Sequence, residues 1–260
     1  MYKGFELNIL NTSFPNYYQA GKTIYDENKS TIKLELNKFL LPNGSLDGSK
    51  MQENWFPQVK ADIFISHSHA DENLAIRLAG WLYVEFGLKS FIDSCIWGYS
   101  NDLLKSIDDE YCQNSNGKTY NYQKRNFSTS HVHIMLSTAL TMMIDKTECI
   151  FFLNTPNSIT ASEVISRTKS PWIYSEIATS KMIRKKSLSS YRNQRDTESY
   201  SIGGTIKKAL TVEYEVNTDH LIQITNKHFI SWKQNWPYKK PYLSHYNQYA
   251  LDKLYEITNK

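Results

Sequence analysis

Two short and almost continuously apolar runs constrain the fold of this 260-residue chain more than any other feature of its sequence. They are DIFIS at residues 62–66 and ECIFFLN at residues 148–154. Runs of this length are typical of strands that are buried on both faces, as in a parallel sheet whose two sides are covered by helices. We therefore predict that both runs are strands and that the first is a central parallel strand.

Helical spacing appears between the strand-like runs. The segment ADENLAIRLAGWLYVEFG places its apolar residues on one stripe, with Asp71 as a possible N-cap and Gly87 as the stop. LKSFID, at residues 88–93, predicts a second strand, and STSHVHIMLSTALTMMIDKT again has helical intervals. Strands that alternate with helices predict a doubly wound, flavodoxin-like α/β fold with a parallel sheet and helices on both faces.

The ends of the chain have weaker patterns. Residues 1–60 close with the turn-rich LPNGSLDGSKMQENWFP, so we expect an N-terminal extension ahead of a domain at residues 61–215. Residues 216–260 are rich in aromatic side chains, and we expect a C-terminal extension that packs on the domain and ends in a helix. Within the domain, NDLLKSIDDEYC predicts a short helix, residues 113–129 an exposed insertion, and TIKKALTVEYEV a further strand.

Composition excludes several classes of protein. The net charge of +4 comes from 30 basic and 26 acidic residues spread along the chain, which does not indicate nucleic-acid binding. Three cysteines, Cys95, Cys112 and Cys149, form no CxxC pair and leave an odd thiol, as expected in a reducing compartment. Neither a signal peptide nor an apolar run of about 20 residues is present, so we expect a cytoplasmic protein without a membrane segment.

Folds of this class bind ligands outside the carboxyl ends of their strands. Three segments with reactive or polar residues follow strands in this way. They are SHSHAD after the first strand, the predicted loop DSCIWGYSND after the second, and SPWIYSEIATSKMIR, where Ser170 can cap a helix that has Pro171 in its first turn.

Glu176 is the acidic residue of that third segment, and it follows Trp172 by four positions. On a helix the indole and the carboxylate then share a face and can form one wall of a pocket. A carboxylate beside an aromatic ring suits a reaction that develops positive charge on a sugar carbon, as glycosidic cleavage does. The structural alternative is an ordinary helical glutamate with Trp172 packed in the core.

Other chemistries have weaker support. No GxGxxG or GxxxxGK[ST] motif follows a strand, which disfavours standard dinucleotide and P-loop sites. Ser66, His67 and Asp93 could form a hydrolytic triad, but the chain has no GxSxG nucleophile elbow. Acyl transfer is therefore a weak alternative.

A metal site is a further alternative, since the chain contains two histidine pairs at i, i+2 spacing and a nearby cysteine. These residues are His67, His69, His131, His133 and Cys95. The first pair lies beyond its predicted strand, and the second lies on a predicted helix, where residues two apart diverge. We predict no metal.

ADIFISHSHADE resembles the first conserved box of Toll/interleukin-1 receptor (TIR) domains, in which the first strand ends in Ser followed by Tyr or His and an acidic helix start. SPWIYSE resembles the Trp-x-x-x-Glu segment of the NAD-cleaving TIR domains. The resemblance covers roughly residues 60 to 215. The chain lacks the Arg-Asp-x-x-Pro-Gly pattern and the Phe-Trp box of animal receptors, which favours a bacterial type of TIR domain.

The resemblance implies that Glu176 is the catalytic glutamate. It also implies the residues that line the substrate pocket, which are Ser66, His67, Ser68, Asp93, Ser94, Trp97 and Trp172. The implied activity is that of an NAD⁺ glycohydrolase or ADP-ribosyl cyclase, with NAD⁺ as substrate and with no cofactor.

The resemblance further implies self-association on activation, a role in anti-phage defence of the Thoeris type, and a separate effector that senses the nucleotide product. Two other functions stay open. One is a non-catalytic TIR adaptor that acts through TIR–TIR contacts, and the other is an enzyme similar to nucleoside deoxyribosyltransferases.

Overall fold

The computed structural model describes residues 1–28, 36–56, 58–162, 165–192, 214–215, 217–236 and 249–258. The strands are β1 (Lys3–Asn8), β2 (Ile63–Ser66), β3 (Ser90–Ile92), β4 (Cys149–Leu153), β5 (Thr160–Ser162), β6 (Ile165–Thr168), β7 (Tyr214–Glu215) and β8 (Ile222–Thr225). The α-helices are α1 (Tyr18–Asn28), α2 (Gly48–Trp55), α3 (Glu72–Phe86), α4 (Ser94–Ile107), α5 (Tyr122–Lys146), α6 (Pro171–Met182), α7 (Asn226–Asn235) and α8 (Ala250–Thr258).

Five strands form a parallel sheet in the order β3-β2-β4-β1-β8. Every residue of β2, β3 and β4 is buried, and successive side chains of a strand point to opposite faces, so both faces of the sheet are covered. The prediction of a flavodoxin-like α/β fold with a parallel sheet is confirmed. A small antiparallel sheet, β5-β6-β7, lies outside it.

The strands and helices with the clearest periodicity are confirmed. DIFIS forms β2 between β3 and β4, and ECIFFLN forms β4. Gly87 ends α3 in the left-handed conformation with φ of 70°, as its position indicates. Ser170 caps α6 by accepting a hydrogen bond from the Ile173 backbone N–H at 3.3 Å, and Pro171 is the first helical residue.

The expected N-terminal extension is wrong as a description of residues 1–60, because β1 is part of the main sheet. β1 pairs with β4 on one side and β8 on the other, and Phe5 and Leu7 are fully buried. Its sequence, KGFELN, alternates too little to identify it, and burial between two strands decides its conformation. β3, β2 and β4 are neighbours in the order expected for the first three strands of a flavodoxin-like sheet. The next position in the sheet, beside β4, is taken by β1.

Helix α1 packs on α3 with direct backbone contact, which further joins the N-terminal residues to the domain. A Cβ on Gly21 would lie 1.8 Å from the carbonyl oxygen of Ile76, and one on Gly80 would lie 2.1 Å from that of Tyr17. Only residues without a side chain allow this approach. Helix α1 is therefore an integral part of the fold.

Helix α4 corrects the prediction of a loop at DSCIWGYSND, because the helix begins at Ser94, two residues after β3 ends. Gly98 and the neighbouring polar residues suggest a loop. The apolar stripe of Cys95, Leu103 and Ile107 continues through the segment, however, and its burial stabilises a helix.

The expected insertion at 113–129 divides into two parts. Residues 113–120 form a turn that is closed by a bridge between Gln113 and Tyr120. From Tyr122 the chain is already in α5, because the Asn121 side chain accepts a hydrogen bond from the Lys124 backbone N–H at 3.0 Å and caps the helix. The insertion is thus exposed but is half helical.

The C-terminal residues contribute an edge strand and two helices. β8 pairs with β1, and Trp232 of α7 donates its indole N–H to the Ala250 carbonyl at the start of α8. The predicted final helix is confirmed as α8. Of TIKKALTVEYEV, only β7 lies within the described residues. No helix in the described parts of the chain is long and apolar enough to cross a membrane.

Candidate active site

Four polar side chains from three segments meet at the carboxyl edge of the main sheet. Ser66 and His67 stand at the end of β2, Asp93 follows β3, and Glu176 comes from the second turn of α6. Each is at most 1 % exposed. We call Ser66, His67, Asp93 and Glu176 the carboxyl-edge cluster. All four are site residues predicted from the sequence, and the structure brings them together.

The position of the cluster in the sheet is the one that this fold class uses for ligands. From β2 the chain crosses to β3 on one side, and from β3 it returns to β4 on the other side of β2. In folds of this class, such a switch point at the carboxyl ends of the strands is where ligands bind. Ser66 and His67 lie at this switch point.

Direct contacts hold the cluster. The Ser66 hydroxyl donates a hydrogen bond to Glu176 Oε2 at 2.6 Å. His67 Nδ1 lies 2.5 Å from Asp93 Oδ1, and the His67 backbone N–H donates to Asp93 Oδ2 at 3.4 Å. The Asp93 and Glu176 carboxyl groups are close enough for each to shift the pKa of the other.

The two carboxyl groups are buried, and both have raised pKa values. Burial raises the pKa of Glu176 well above its usual value, the nearby Asp93 charge adds to the increase, and the Ser66 hydrogen bond opposes it. Burial likewise raises the pKa of Asp93 well above its usual value. Burial lowers the pKa of His67 to about 4, so the imidazole is neutral at physiological pH. Among the described residues, no Lys or Arg forms an ion pair with Asp93 or Glu176.

A second polar group adjoins the cluster and was not predicted as part of the site. Asp71, which is 1 % exposed, accepts hydrogen bonds from the Thr155 hydroxyl at 2.5 Å and from Asn157 Nδ2 at 2.8 Å. Asp71 is the N-cap residue of α3, as predicted, but its carboxylate does not cap the helix. The signal for Thr155 and Asn157 is their place after β4, since polar residues also follow β2 and β3.

Two of the other predicted site residues flank the cluster. Ser94, 7 % exposed, begins α4 next to Asp93. Ser68 is half-buried, and its carbonyl accepts a hydrogen bond from the Asp71 backbone N–H at 2.8 Å. Trp97 belongs to α4, but its side chain lies outside the described residues.

Trp172 is not shown beside Glu176, although both belong to α6. Its half-buried indole packs on the core and meets the edge of the His133 ring from α5, with ring centroids 5.7 Å apart. Glu176 instead accepts a hydrogen bond from Ser66, and the charges that act on its pKa are those of Asp93 and His67. For Trp172 the core-packing alternative describes the structure better than a pocket wall does.

The histidine pairs do not form a metal centre. His67 is buried beside Asp93, whereas His69, His131 and His133 are exposed. In the described part of the chain, no group of three or more His, Cys, Asp or Glu side chains is arranged to hold a metal ion.

The cluster is closed in this structure. Glu176 is 1 % exposed, and it lines neither of two cavities that described residues form near α2, α4 and α5. A substrate can therefore reach the carboxylate only if residues above it move. Protein-family models, curated proteins and solved structures gave no match to this chain.

Proposed function

We propose that the chain is a TIR-type enzyme that cleaves the bond between nicotinamide and ribose in NAD⁺, with Glu176 as its key carboxylate. The observation that carries the proposal is the burial of Glu176 at the switch point of the sheet, where Ser66 donates a hydrogen bond to it and the Asp93 carboxyl group lies close enough to shift its pKa. The resemblance of its two motifs to NAD-cleaving TIR domains supplies the reaction class. NAD⁺ is the substrate in this proposal.

The electrostatics of the cluster support a cationic substrate. The nicotinamide ring of NAD⁺ is a pyridinium, and the buried Asp93–Glu176 pair has no cation of its own among the described residues. A positive ring beside the pair lowers the pKa of Glu176 and favours its ionised form. Binding of this substrate therefore brings a positive charge to the carboxyl pair.

In the proposed reaction the bond between C1′ of the ribose and the ring nitrogen breaks, and the electron pair leaves with neutral nicotinamide. Positive charge then spreads over C1′ and the ring oxygen of the ribose, and the Glu176 carboxylate stabilises it. Ser66 orients this carboxylate through its hydrogen bond. Water, or a nucleophile of the ADP-ribosyl group, attacks C1′ and loses its proton, which yields a linear or cyclic product.

The closed cluster requires an opening step before this chemistry. In this proposal self-association, which the resemblance implies, supplies that step by moving residues above Glu176. The resemblance also places such enzymes in anti-phage defence, where the product signals to a separate effector or NAD⁺ is depleted. We include these roles in the proposal.

A non-catalytic TIR adaptor is the second candidate, and the burial of Glu176 favours it. A carboxyl group that is 1 % exposed and hydrogen-bonded to its neighbours can be a structural element of the core. In that case the cluster would serve only to hold β2, β3 and α6 together.

The test is the release of nicotinamide from NAD⁺ by the purified chain, with and without a crowding polymer, followed by chromatography and mass spectrometry. We expect nicotinamide and an ADP-ribose product from the wild type, and a rate lower by at least about 100-fold for Glu176→Gln. Glu256→Gln is the matched control, because Glu256 is an exposed glutamate of α8. If the wild type releases no nicotinamide under any condition and Glu176→Gln leaves self-association unchanged, the enzyme proposal is contradicted and the adaptor alternative is supported.

A further inference from the structure

A cavity of about 930 Å³ lies between α2, α4 and α5, away from the carboxyl-edge cluster. This volume is within the range of about 300 to 1,000 Å³ that is typical of small-molecule sites. We call it the α2–α5 cavity. Its apolar and aromatic lining includes Leu46, Met51, Ile107, Tyr111, Phe127 and Met135.

A hydrogen-bonded turn and two glycines shape the walls of the cavity. After α4 the chain makes a π-helical turn at Asp108–Cys112, a feature that is frequent at functional sites. The Asp108 carboxylate accepts hydrogen bonds from Ser128 at 2.6 Å and Arg125 at 2.7 Å, which fix this turn to α5. On the opposite wall, Gly44 and Gly48 have no side chains to fill the space.

Exposed aromatic surface marks the entrance. Phe127 lines the cavity, is 69 % exposed, and contacts the His131 ring at a centroid distance of 4.5 Å. An apolar ligand would remove much of the Phe127 ring from water, which stabilises the complex.

The charge at the cavity selects the kind of ligand. Of the described lining residues, Lys124 alone carries a fixed charge. Its ammonium group donates to the Tyr111 carbonyl at 3.2 Å, a neutral partner, and no carboxylate among the described residues forms an ion pair with it. An anionic group therefore complements this end of the cavity.

We infer that the α2–α5 cavity binds a small anionic amphiphile, which places its apolar body against Phe127 and Met135 and its anionic group beside Lys124. This ligand site is separate from the proposed NAD⁺ site. It does not depend on the NAD⁺ proposal.

The probe for this site is 8-anilinonaphthalene-1-sulfonate, an aromatic anion whose fluorescence rises on binding to apolar surface. We expect decanoate to displace it from the wild-type chain at a concentration about fivefold lower than decanol does, since decanol lacks the charge. Lys124→Gln should abolish this preference for decanoate, and Phe127→Ser should weaken binding of both compounds.

Matched controls separate the site from general surface binding. Lys118→Gln changes a lysine of the neighbouring turn, and Tyr122→Ser changes a 78 % exposed aromatic residue of α5, and neither residue is in the cavity lining. Both controls should bind the dye and decanoate as the wild type does. The inference is overturned if decanol competes as well as decanoate, or if Lys124→Gln and Phe127→Ser leave displacement unchanged.

Discussion

At the amino edge of the parallel sheet, the buried Glu148 carboxylate is paired with an arginine, whereas no cation among the described residues pairs with the two buried carboxyl groups at the carboxyl edge. Arg192 donates hydrogen bonds to both Glu148 and Asp252, with 2.8 Å from Nη2 to Glu148 Oε1. Tyr255 donates to the same Glu148 oxygen at 2.8 Å. We call these four residues the amino-edge network. In the carboxyl-edge cluster, Ser66 donates to Glu176, and the neutral His67 lies against Asp93.

The difference separates a structural network from a candidate active site. Burial lowers the pKa of Arg192, but hydrogen bonds to Glu148 and Asp252 outweigh it and raise the pKa, so the cation stays charged and joins α8 to the base of β4. The carboxyl-edge pair instead has strongly raised pKa values, and no Lys or Arg in the described ranges forms an ion pair with it. A protein usually retains such an unfavourable arrangement where its chemistry is used.

Breaking the amino-edge network should have the largest effect on stability. Arg192→Met leaves Glu148 and Asp252 without their cation, and we expect the free energy of unfolding to fall by about 3 to 5 kcal/mol. Chemical denaturation at neutral pH measures this loss. Lys253→Met is the control, because Lys253 forms an exposed pair with Glu256, and it should change stability by less than about 1 kcal/mol. Equal losses of stability in Arg192→Met and Lys253→Met would show that the amino-edge network contributes no more than an exposed ion pair.

Removing the charge of Glu176 in the carboxyl-edge cluster should instead increase the free energy of unfolding. The folded state raises the pKa of Glu176, so it binds its proton more tightly than the unfolded state, and stability falls as pH rises from the usual value of 4.5 through the raised pKa. Glu176→Gln removes this loss. At mildly alkaline pH we expect the variant to be more stable than the wild type by about 1 to 2 kcal/mol, with a flatter dependence on pH.

Thermal unfolding across a pH series measures that gain, with Glu256→Gln as the exposed control. A Glu176→Gln protein that is less stable than the wild type at mildly alkaline pH would mean that the carboxylate is a structural element, as the adaptor alternative requires.

A smaller effect is expected within the amino-edge network when one neutral donor is removed. Tyr255→Phe deletes the hydroxyl that donates to Glu148 but keeps the aromatic ring. The hydrogen bond from Arg192 to Glu148 also stays in place. We expect a loss of about 1 kcal/mol in the free energy of unfolding and no change in nicotinamide release. A loss of activity in the fully folded variant would connect the two edges and contradict their separation.

The smallest expected effect concerns the influence of Asp93 on the pKa of Glu176. Asp93→Asn removes the charge that helps to raise the pKa of Glu176. The pKa of Glu176 should therefore fall toward its usual value, although burial still holds it above that value. NMR titration of ¹³C-labelled glutamate side chains measures the midpoint, and an unchanged or higher midpoint would show that Asp93 does not act on Glu176.

Local pattern predicted the elements whose burial follows from their own sequence. β2 and β4 are continuous apolar runs, and α3 and α6 carry recognisable start or stop signals at Gly87 and Ser170. β1 was missed because KGFELN contains polar residues that become acceptable only between β4 and β8. α4 was missed because Gly98 and its polar neighbours suggested a loop although an apolar stripe passes through them.

The site shows the same limit. Ser66, His67, Asp93 and Glu176 could be predicted, since each follows a strand or belongs to a motif that resembles those of TIR domains. The proximity of Asp93 to Glu176 could not, because it brings together residues 83 positions apart through the tertiary fold. Spacing on α6 predicted that Trp172 faces the site, but packing against His133 of α5 decides its place.

The most direct measurement is a crystal structure of the Glu176→Gln chain with NAD⁺ bound. The account predicts that the nicotinamide riboside lies at the ends of β2 and β3, with the carboxamide of residue 176 within about 3 Å of a ribose hydroxyl and an opening above the cluster. NAD⁺ bound elsewhere, with residue 176 still sealed against Ser66, would contradict it.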